Sequence, residues 1–394
     1  MMAGRTSTKC PAVYMWRPWF PRGTYVNALK RYFTTTNAEK LVKDVEQKLE
    51  RYLGSQHVVL MPSGTSAILT ALEALLPRGD AEVLLPSLVC GAVPYAVKAA
   101  GKKPVFLEIN PDTFNIDEGL IKDKIKAETK AIIAVHQFGM PCNMTKILQI
   151  AKQNNLLVIE DAAQALGAEY NGEKAGTMGD IGILSFNNKV IDACGGGAVV
   201  TDNNEYFNKI MQYRDSHFAL TRKGFFRHLV RSWLLSEHPK LALALAQRLP
   251  VEGGLAIRRK LNLITPILLE NFLPLLDRII ERRRENFALY HRYLTGEHIE
   301  KPVQDDGMKS SCTFYTVKLD RDSRDVVRLE LERRHLYTDV LAEATHREFE
   351  PESELPLSTE VSKTMLSFPT DPHLNEKDIK FISTMVNGIT KYGV

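Results

Sequence analysis

Lys189 stands in the stretch Ser185-Phe186-Asn187-Asn188-Lys189-Val190-Ile191-Asp192-Ala193-Cys194-Gly195-Gly196-Gly197, just ahead of a run of three glycines. Asp161 precedes it by 28 residues, in Glu160-Asp161-Ala162-Ala163-Gln164-Ala165, and a Ser63-Gly64-Thr65-Ser66 turn comes earlier still. A lysine amine partly deprotonated by burial or by a nearby positive charge can form an imine with an aldehyde. A carboxylate can hold a pyridine nitrogen protonated, so that the ring accepts electrons from a carbanion. A Gly-containing turn opening a helix offers free amides and the positive end of the helix dipole to a phosphate. Together these are the parts needed to hold pyridoxal 5′-phosphate. Alone each has an ordinary reading: lysines are mostly exposed, Asp suits a helix N-cap, and Ser-Gly-Thr is itself a plain N-cap sequence.

Further residues join the candidate set. Gln164, one helical turn beyond Asp161, would share its face and offer an amide to the ring hydroxyl. Ser185, at a strand end, is a second candidate phosphate hydroxyl. Gly195-Gly196-Gly197 lets backbone approach a ligand closely or turn with positive φ, and serves equally as a tight turn between strands. Asp180 reads as structural and His136 as either structural or functional. Cys90 and Cys194 read as small packing residues rather than nucleophiles.

These residues need a scaffold that brings them together. Short apolar runs alternate with amphipathic stretches from about residue 55 to 205. Strands are expected at His57–Met61, Val83–Leu85, Pro104–Ile109, Ala131–Val135, Leu156–Glu160, Ile181–Phe186 and Ala198–Thr201. Helices are expected at Ser63–Leu76, Gly91–Ala100 and Met144–Asn154. The alternation predicts an α/β fold with a parallel sheet flanked by helices. In such sheets ligands sit at the carboxyl ends of strands, which is where Ser63, His136 and Asp161 fall. Beyond residue 205 the pattern changes. Residues 206–260 read as a helical insertion, with an apolar, basic helix at Phe225–Leu235 and a second apolar helix at Leu241–Leu249. Glu270–Tyr293 reads as one long connecting helix. A small α+β unit follows, with a strand at Cys312–Leu319 and helices at Ser323–Arg334 and Glu376–Tyr392. The expected division is a large cofactor-binding domain over 1–265 and a connecting helix with a small domain over 266–394.

Composition excludes several classes. Of 394 residues, 44% are hydrophobic and 25% charged, and the formal charge is +4. That charge is too small to imply nucleic-acid binding. The five cysteines, Cys10, Cys90, Cys142, Cys194 and Cys312, are scattered and odd in number. They form no CxxC pair, which points to a reduced cytoplasmic chain without structural zinc. Residues Met1–Phe20 lack the apolar core of a signal peptide, and no apolar run is long enough to span a membrane.

The residues resemble the nucleotide-sugar aminotransferases of the DegT–DnrJ–StrS type, which are fold type I pyridoxal-phosphate enzymes. Ser63-Gly64-Thr65-Ser66-Ala67, Ala131–Gly139, Val158–Ala168, Gly179–Phe186 and the glycine run leading into Ala198-Val199-Val200-Thr201-Asp202 carry the resemblance. It implies a large domain with a mostly parallel seven-stranded sheet and a smaller C-terminal α+β domain. By that resemblance the imine lysine falls on Lys189, the pyridine partner on Asp161 and the ring-hydroxyl partner on Gln164. Phosphate contacts fall on Gly64, Thr65 and Ser185, with Ser66 in the same turn. The family pattern is altered in places. Ser185–Lys189 is one residue shorter than usual, and Gly-Glu-Gly-Gly is replaced by Cys194-Gly195-Gly196-Gly197. Cys90 stands where an aromatic residue stacks on the cofactor ring. Asn262 is the nearest counterpart of an Asn-x-Arg segment that reaches the neighbouring subunit's phosphate.

The activity implied is transfer of an amino group, with glutamate as donor, to a keto-sugar carried on a nucleotide, for polysaccharide or glycoconjugate synthesis by a homodimer. A retained lysine argues against the sugar dehydratases of the same fold, which carry histidine there. Two rivals follow from particular residues. Arg222, Lys223, Arg227 and Arg231 beside Phe225, Phe226, Trp233 and Leu234 suggest membrane-surface contact through 225–249 and a lipid-linked acceptor. The preferred reading of that segment is a helical insertion packed on the dimer. The altered glycine run and Cys90 suggest a silent regulatory or scaffold protein, against which Lys189, Asp161 and Gln164 argue.

Overall fold

The computed structural model describes residues 13–14, 19–238, 241, 260–296, 298–304, 306–334, 336–338 and 342–391. Seven strands form the main sheet: β1 His57–Met61, β2 Glu82–Pro86, β3 Lys103–Leu107, β4 Thr129–Val135, β5 Leu157–Asp161, β6 Ile181–Ser185 and β7 Gly197–Thr201. Their order is β3-β2-β4-β5-β6-β7-β1. All neighbouring pairs are parallel except those of β7, which runs antiparallel to both β6 and β1.

Alternation along each strand divides the core between two faces. Val58 and Leu60 of β1 pack with helix α1 Thr24–Thr34, helix α2 Ala38–Leu53 and residues of 261–280, whereas Val59 and Met61 pack against helix α3 Gly64–Leu75 and helix α4 Ala92–Ala99. Towards the β3 edge, Leu84, Val105, Ile132 and Val158 close on helix α5 Met144–Asn154. Helix α6 Asn204–His217 and helix α7 Phe225–Glu237 follow the sheet. The apolar helix expected over Leu241–Leu249 lies, apart from Leu241, outside the described residues.

The helix expected over Glu270–Tyr293 is two helices. The first, α8, spans Ile264–Phe272; a 3₁₀ turn at Leu273–Leu275 separates it from α9, Leu276–Tyr293. Pro274 lies in that turn, and a proline supplies no N–H to continue an α-helical ladder. The small C-terminal domain has an antiparallel sheet of Ile299–Glu300 (β8), Phe314–Leu319 (β9) and Met365–Pro369 (β10), with β9 in the middle. Helices α10 Arg321–Arg333 and α11 Glu376–Lys391 cover it, and Tyr290, Tyr315, Val327, Phe368 and Ile382 fill its core. No described helix is long and apolar enough to cross a membrane.

Two glycines test this packing. A Cβ at Gly182 in β6 would lie 1.9 Å from the Gly176 carbonyl oxygen, whereas one at Gly388 in α11 meets nothing within 4 Å. Gly182→Ala should therefore lower stability by about 2 kcal/mol through overpacking. Gly388→Ala should raise it by about 0.5–1 kcal/mol through helix propensity. Urea unfolding midpoints for the two variants check both signs.

Candidate active site

The reversed direction of β7 gathers the site at one sheet edge. Gly197 begins β7 in register with Met61, which ends β1, and with Ser185, which ends β6. Ser63 and Gly196 are joined by a further bridge. A Cβ at Gly197 would lie 2.5 Å from Gly64 N, and one at Gly64 would lie 3.2 Å from Ser185 Cβ. Glycine is thus required at Gly197, and a side chain at Gly64 would press on Ser185, where the Ser-Gly-Thr turn and the glycine run pack together. The sequence left the run open between ligand approach and a tight turn; here it is the turn into β7 and also a wall of the candidate phosphate cradle.

Ser63 caps α3: its Oγ accepts from Ser66 N at 3.0 Å and lies 2.9 Å from Ser66 Oγ. The Ser63 carbonyl accepts from Ala67 N. The N–H of Thr65 donates to no described residue, so the positive end of α3 is open beside Ser185.

Asp161 ends β5 and is 5% exposed. Its Oδ1 accepts from Ala163 N at 3.0 Å, an Asx turn rather than the helix N-cap considered from sequence. Residues 162–167 continue as tight turns, so Gln164 reaches Asp161 through a turn and not along a helix. The Gln164 Oε1 accepts from Phe138 N at 3.0 Å. Its Nε2 and the Asp161 Oδ2 have no hydrogen-bond partner among the described residues, and both residues are buried. Burial raises the Asp161 pKa; the Ala163 N–H, His136 and Lys189 oppose that rise. Burial likewise lowers the Lys189 pKa, against the attraction of Cys90 and Asp161. Lys189 therefore sits within electrostatic reach of both. Cys90 is exposed, in the turn before α4, which corrects its reading as a packing residue.

His136 and Glu160, by contrast, are structural. Both are fully buried, with Nε2 and Oε2 3.0 Å apart. His136 Nδ1 accepts from Cys142 N at 2.9 Å, which leaves Nε2 as the protonated nitrogen facing Glu160. Glu160 also accepts from Gly176 N at 2.9 Å, Met178 N and Gly179 N, and so fixes the turn that feeds β6. Asp180 is structural as expected, its Oδ2 accepting from Val158 N at 2.8 Å. Cys194 is half-buried, with Sγ 2.8 Å from Ser232 Oγ of α7. Asn262 makes no hydrogen bond to the cluster. Its Nδ2 donates to Lys223 O at 2.7 Å and its Oδ1 accepts from Ile264 N at 3.0 Å, within its own chain.

Sequence reasoning missed Arg283. It is 3% exposed, and its Nη2 donates to Lys189 O at 3.1 Å and to Asp371 Oδ1 at 2.6 Å. A run of three arginines in an amphipathic helix carried no signal that the middle one is buried. The segment ahead of β9 was missed as well. Ser311 Oγ donates to Gln164 O at 3.0 Å, and Ser310 Oγ to Gly139 O at 2.8 Å.

The residues fit pyridoxal 5′-phosphate. On two buried residues, Asp161 Oδ2 and Gln164 Nε2 make no hydrogen bond among the described residues, a half-buried lysine whose pKa is lowered lies within electrostatic reach of that carboxylate, and a helix N-terminus sits beside a serine. The comparisons agree. The model of the DegT/DnrJ/EryC1/StrS aminotransferase family matches residues 23–387. The chain belongs to that family. Members depend on pyridoxal 5′-phosphate, and this enzyme is an aminotransferase using that cofactor. It is 35% identical to the GDP-perosamine synthase of Caulobacter vibrioides over 223 residues, 56% of this chain and 60% of that protein. It is 28% identical to the dTDP-3-amino-3,6-dideoxy-alpha-D-galactopyranose transaminase of Aneurinibacillus thermoaerophilus over 361 residues, 89% of this chain and 90% of that one. The fold matches that of Helicobacter pylori PseC, an aminotransferase involved in the biosynthesis of pseudoaminic acid. That match has a TM-score of 0.82 at 21% identity and covers 97% of this chain and 100% of that one.

The assignment of Glu160 as a structural anchor is testable. Glu160→Ala removes one partner from a buried set and should cost about 3 kcal/mol, read as a lower urea midpoint. A loss below about 1 kcal/mol, the value of an ordinary hydrogen bond, would remove Glu160 from that role.

Proposed function

We propose that the enzyme takes the amino group of glutamate and delivers it to a keto-sugar carried on a nucleotide, for polysaccharide or glycoconjugate synthesis. The observation that carries this reading is that Asp161, Gln164, Ser185, Lys189 and the Ser63–Ser66 turn all end or follow strands at the carboxyl end of the parallel sheet. The names of the nucleotide-sugar relatives support the acceptor class. Bound there, the cofactor would supply an electron sink for the carbanion left when a proton departs the donor carbon.

The chain's own groups do the rest. Lys189 Nζ takes that proton and returns it, base and then acid; burial favours its neutral form. Asp161 Oδ2 would accept from the ring nitrogen and keep it protonated, and Gln164 Nε2 would donate to the ring hydroxyl oxygen. Gly64, Thr65, the Ser66 side of the turn and Ser185 Oγ would hold the phosphate. Cys90 would lie beside the ring in place of an aromatic side chain.

Purified protein mixed with pyridoxal 5′-phosphate should gain visible absorbance that fades on adding glutamate. Lys189→Ala should show neither the gain nor the fading, and transfer should fall by about 10²–10⁴-fold, the range for losing a general acid–base group. Steady-state plots for donor and acceptor should be parallel. Intersecting lines, or no response to glutamate, would sink the glutamate ping-pong reading.

We further propose a homodimer, with Asn262 reaching the partner's phosphate. Its support is an exposed apolar face. Val26 (70% exposed) and Phe33 (73%) of α1 adjoin Phe226 (47%), Val230 (52%) and Trp233 (41%) of α7. The Phe33 and Phe226 rings are 6.2 Å apart. Contiguous apolar surface of this kind marks an interface. Light scattering should give a dimer for the native protein and a monomer for the Phe33→Glu/Phe226→Glu variant. A native monomer that floats with anionic vesicles would assign the face to a membrane instead.

A further inference from the structure

The Arg283 guanidinium spends all five of its donor contacts inside the protein. Nε donates to Val190 O at 3.3 Å and Nη2 to Lys189 O at 3.1 Å. Nη1 donates to Thr313 O at 3.2 Å and Thr370 Oγ1 at 3.1 Å, and Nη2 also to Asp371 Oδ1 at 2.6 Å. Two contacts therefore lie on the backbone that carries Lys189 and three on the small domain. The planar fork is what allows one side chain to bridge both.

The small-domain end is itself anchored. Asn286 Nδ2, one turn along α9, donates to the carbonyls of Thr370 and Asp371 at 3.0 and 2.9 Å. Thr370 Oγ1 donates to Cys312 O at 2.6 Å, and Ser311 Oγ to Gln164 O. One small-domain segment thus touches the turn bearing Gln164 directly and the Lys189 backbone through Arg283. The adjacent arginines do not reach the Lys189 backbone: Arg282 bonds Glu285 and Leu374 O, and Arg284 joins Ser310 O to Gly167 O at the end of the turn that carries Gln164.

We propose that Arg283 is a positioning residue for the reaction, holding the backbone of Lys189 to Asp371 so that the small domain sets where the Lys189 amine lies relative to Asp161. The inference rests on Lys189 being the reactive lysine. Asp161 and Cys90 act on the charge of the Lys189 side chain, and its backbone carbonyl is held by Arg283, which Asp371 holds in turn. A loosened backbone would let water reach the amine and bring its pKa back up. A residue serving stability alone would leave the amine's protonation unmoved in variants that still fold.

The test measures how fast acetic anhydride labels Lys189 in cofactor-free protein across pH, read by peptide mass spectrometry. Arg283→Lys keeps the charge and loses the fork. Arg283→Gln/Asp371→Asn removes both charges together, so neither is left buried alone should Arg283→Lys fail to fold. Arg282→Gln is the control, losing a small-domain contact without touching Lys189. The expected result is a labelling midpoint raised by about one pH unit in the first two variants, as desolvation is relieved, and unchanged in the control. Unchanged midpoints in folded variants, or an equal rise in the control, overturn the proposal. The readout needs no cofactor, so a native protein that gains no absorbance with pyridoxal 5′-phosphate is recognised separately as failure of the Lys189 assignment.

Discussion

Burying Asp161 at the end of a central strand has a cost that the protein recovers only in part. A carboxylate out of water needs hydrogen bonds and a cation. The chain supplies one backbone N–H, from Ala163, together with the more distant influence of His136 and Lys189, and the group's pKa is still raised. A protonated pyridine nitrogen would provide the missing cation and a donor for Oδ2. A cofactor bound beside Asp161 would fill that deficit, which the rest of the fold keeps in position.

Glu160, next in the chain, shows what a fully satisfied buried carboxylate looks like here. Strand alternation sends the two side chains to opposite faces. Glu160 accepts from His136, Gly176, Met178 and Gly179, and it is structural. Identical charge and neighbouring position give different roles because one residue's donors come from the protein and the other's are incomplete. The antiparallel β7 completes the arrangement. Its start lies beside the ends of β1 and β6, so glycines 195–197 meet the Ser-Gly-Thr turn and Ser185 without a long connecting loop.

How much of this was legible in the sequence depended on the range of the interaction. Strands such as His57–Met61 and the helix Met144–Asn154 were readable because their apolar periodicity and flanking turns are local. Lys189, Asp161 and Gln164 could be singled out as candidates because residue type and order along the chain suggest their chemistry. The break at Pro274 was missed although proline is a local signal, because the apolar periodicity on both sides runs on in phase. Met365–Pro369 was missed because a five-residue run, short and ending in proline, takes its strand character from pairing with Phe314–Leu319 some fifty residues earlier. Arg283 was missed for a stronger reason. Its burial depends on carbonyls from residues 189, 190 and 313 and on Asp371, which no window along the chain contains together.

The same distinction bears on how the two domains share the site. Nearly every group that would touch the cofactor belongs to the large sheet, yet the small domain holds the Gln164 carbonyl and, through Arg283, the Lys189 carbonyl. A buried arginine–aspartate pair is weak evidence for stability, since apolar replacement can serve as well. It is better suited to fixing geometry, because five directional donors tolerate little displacement and an apolar contact of equal area tolerates more. The positions of Lys189 and Gln164 are thus tied to one segment, residues 310–313, and to its neighbour at 370–371. A substrate that contacts the small domain would act on both ends of the cofactor site at once, without any residue of its own touching Lys189.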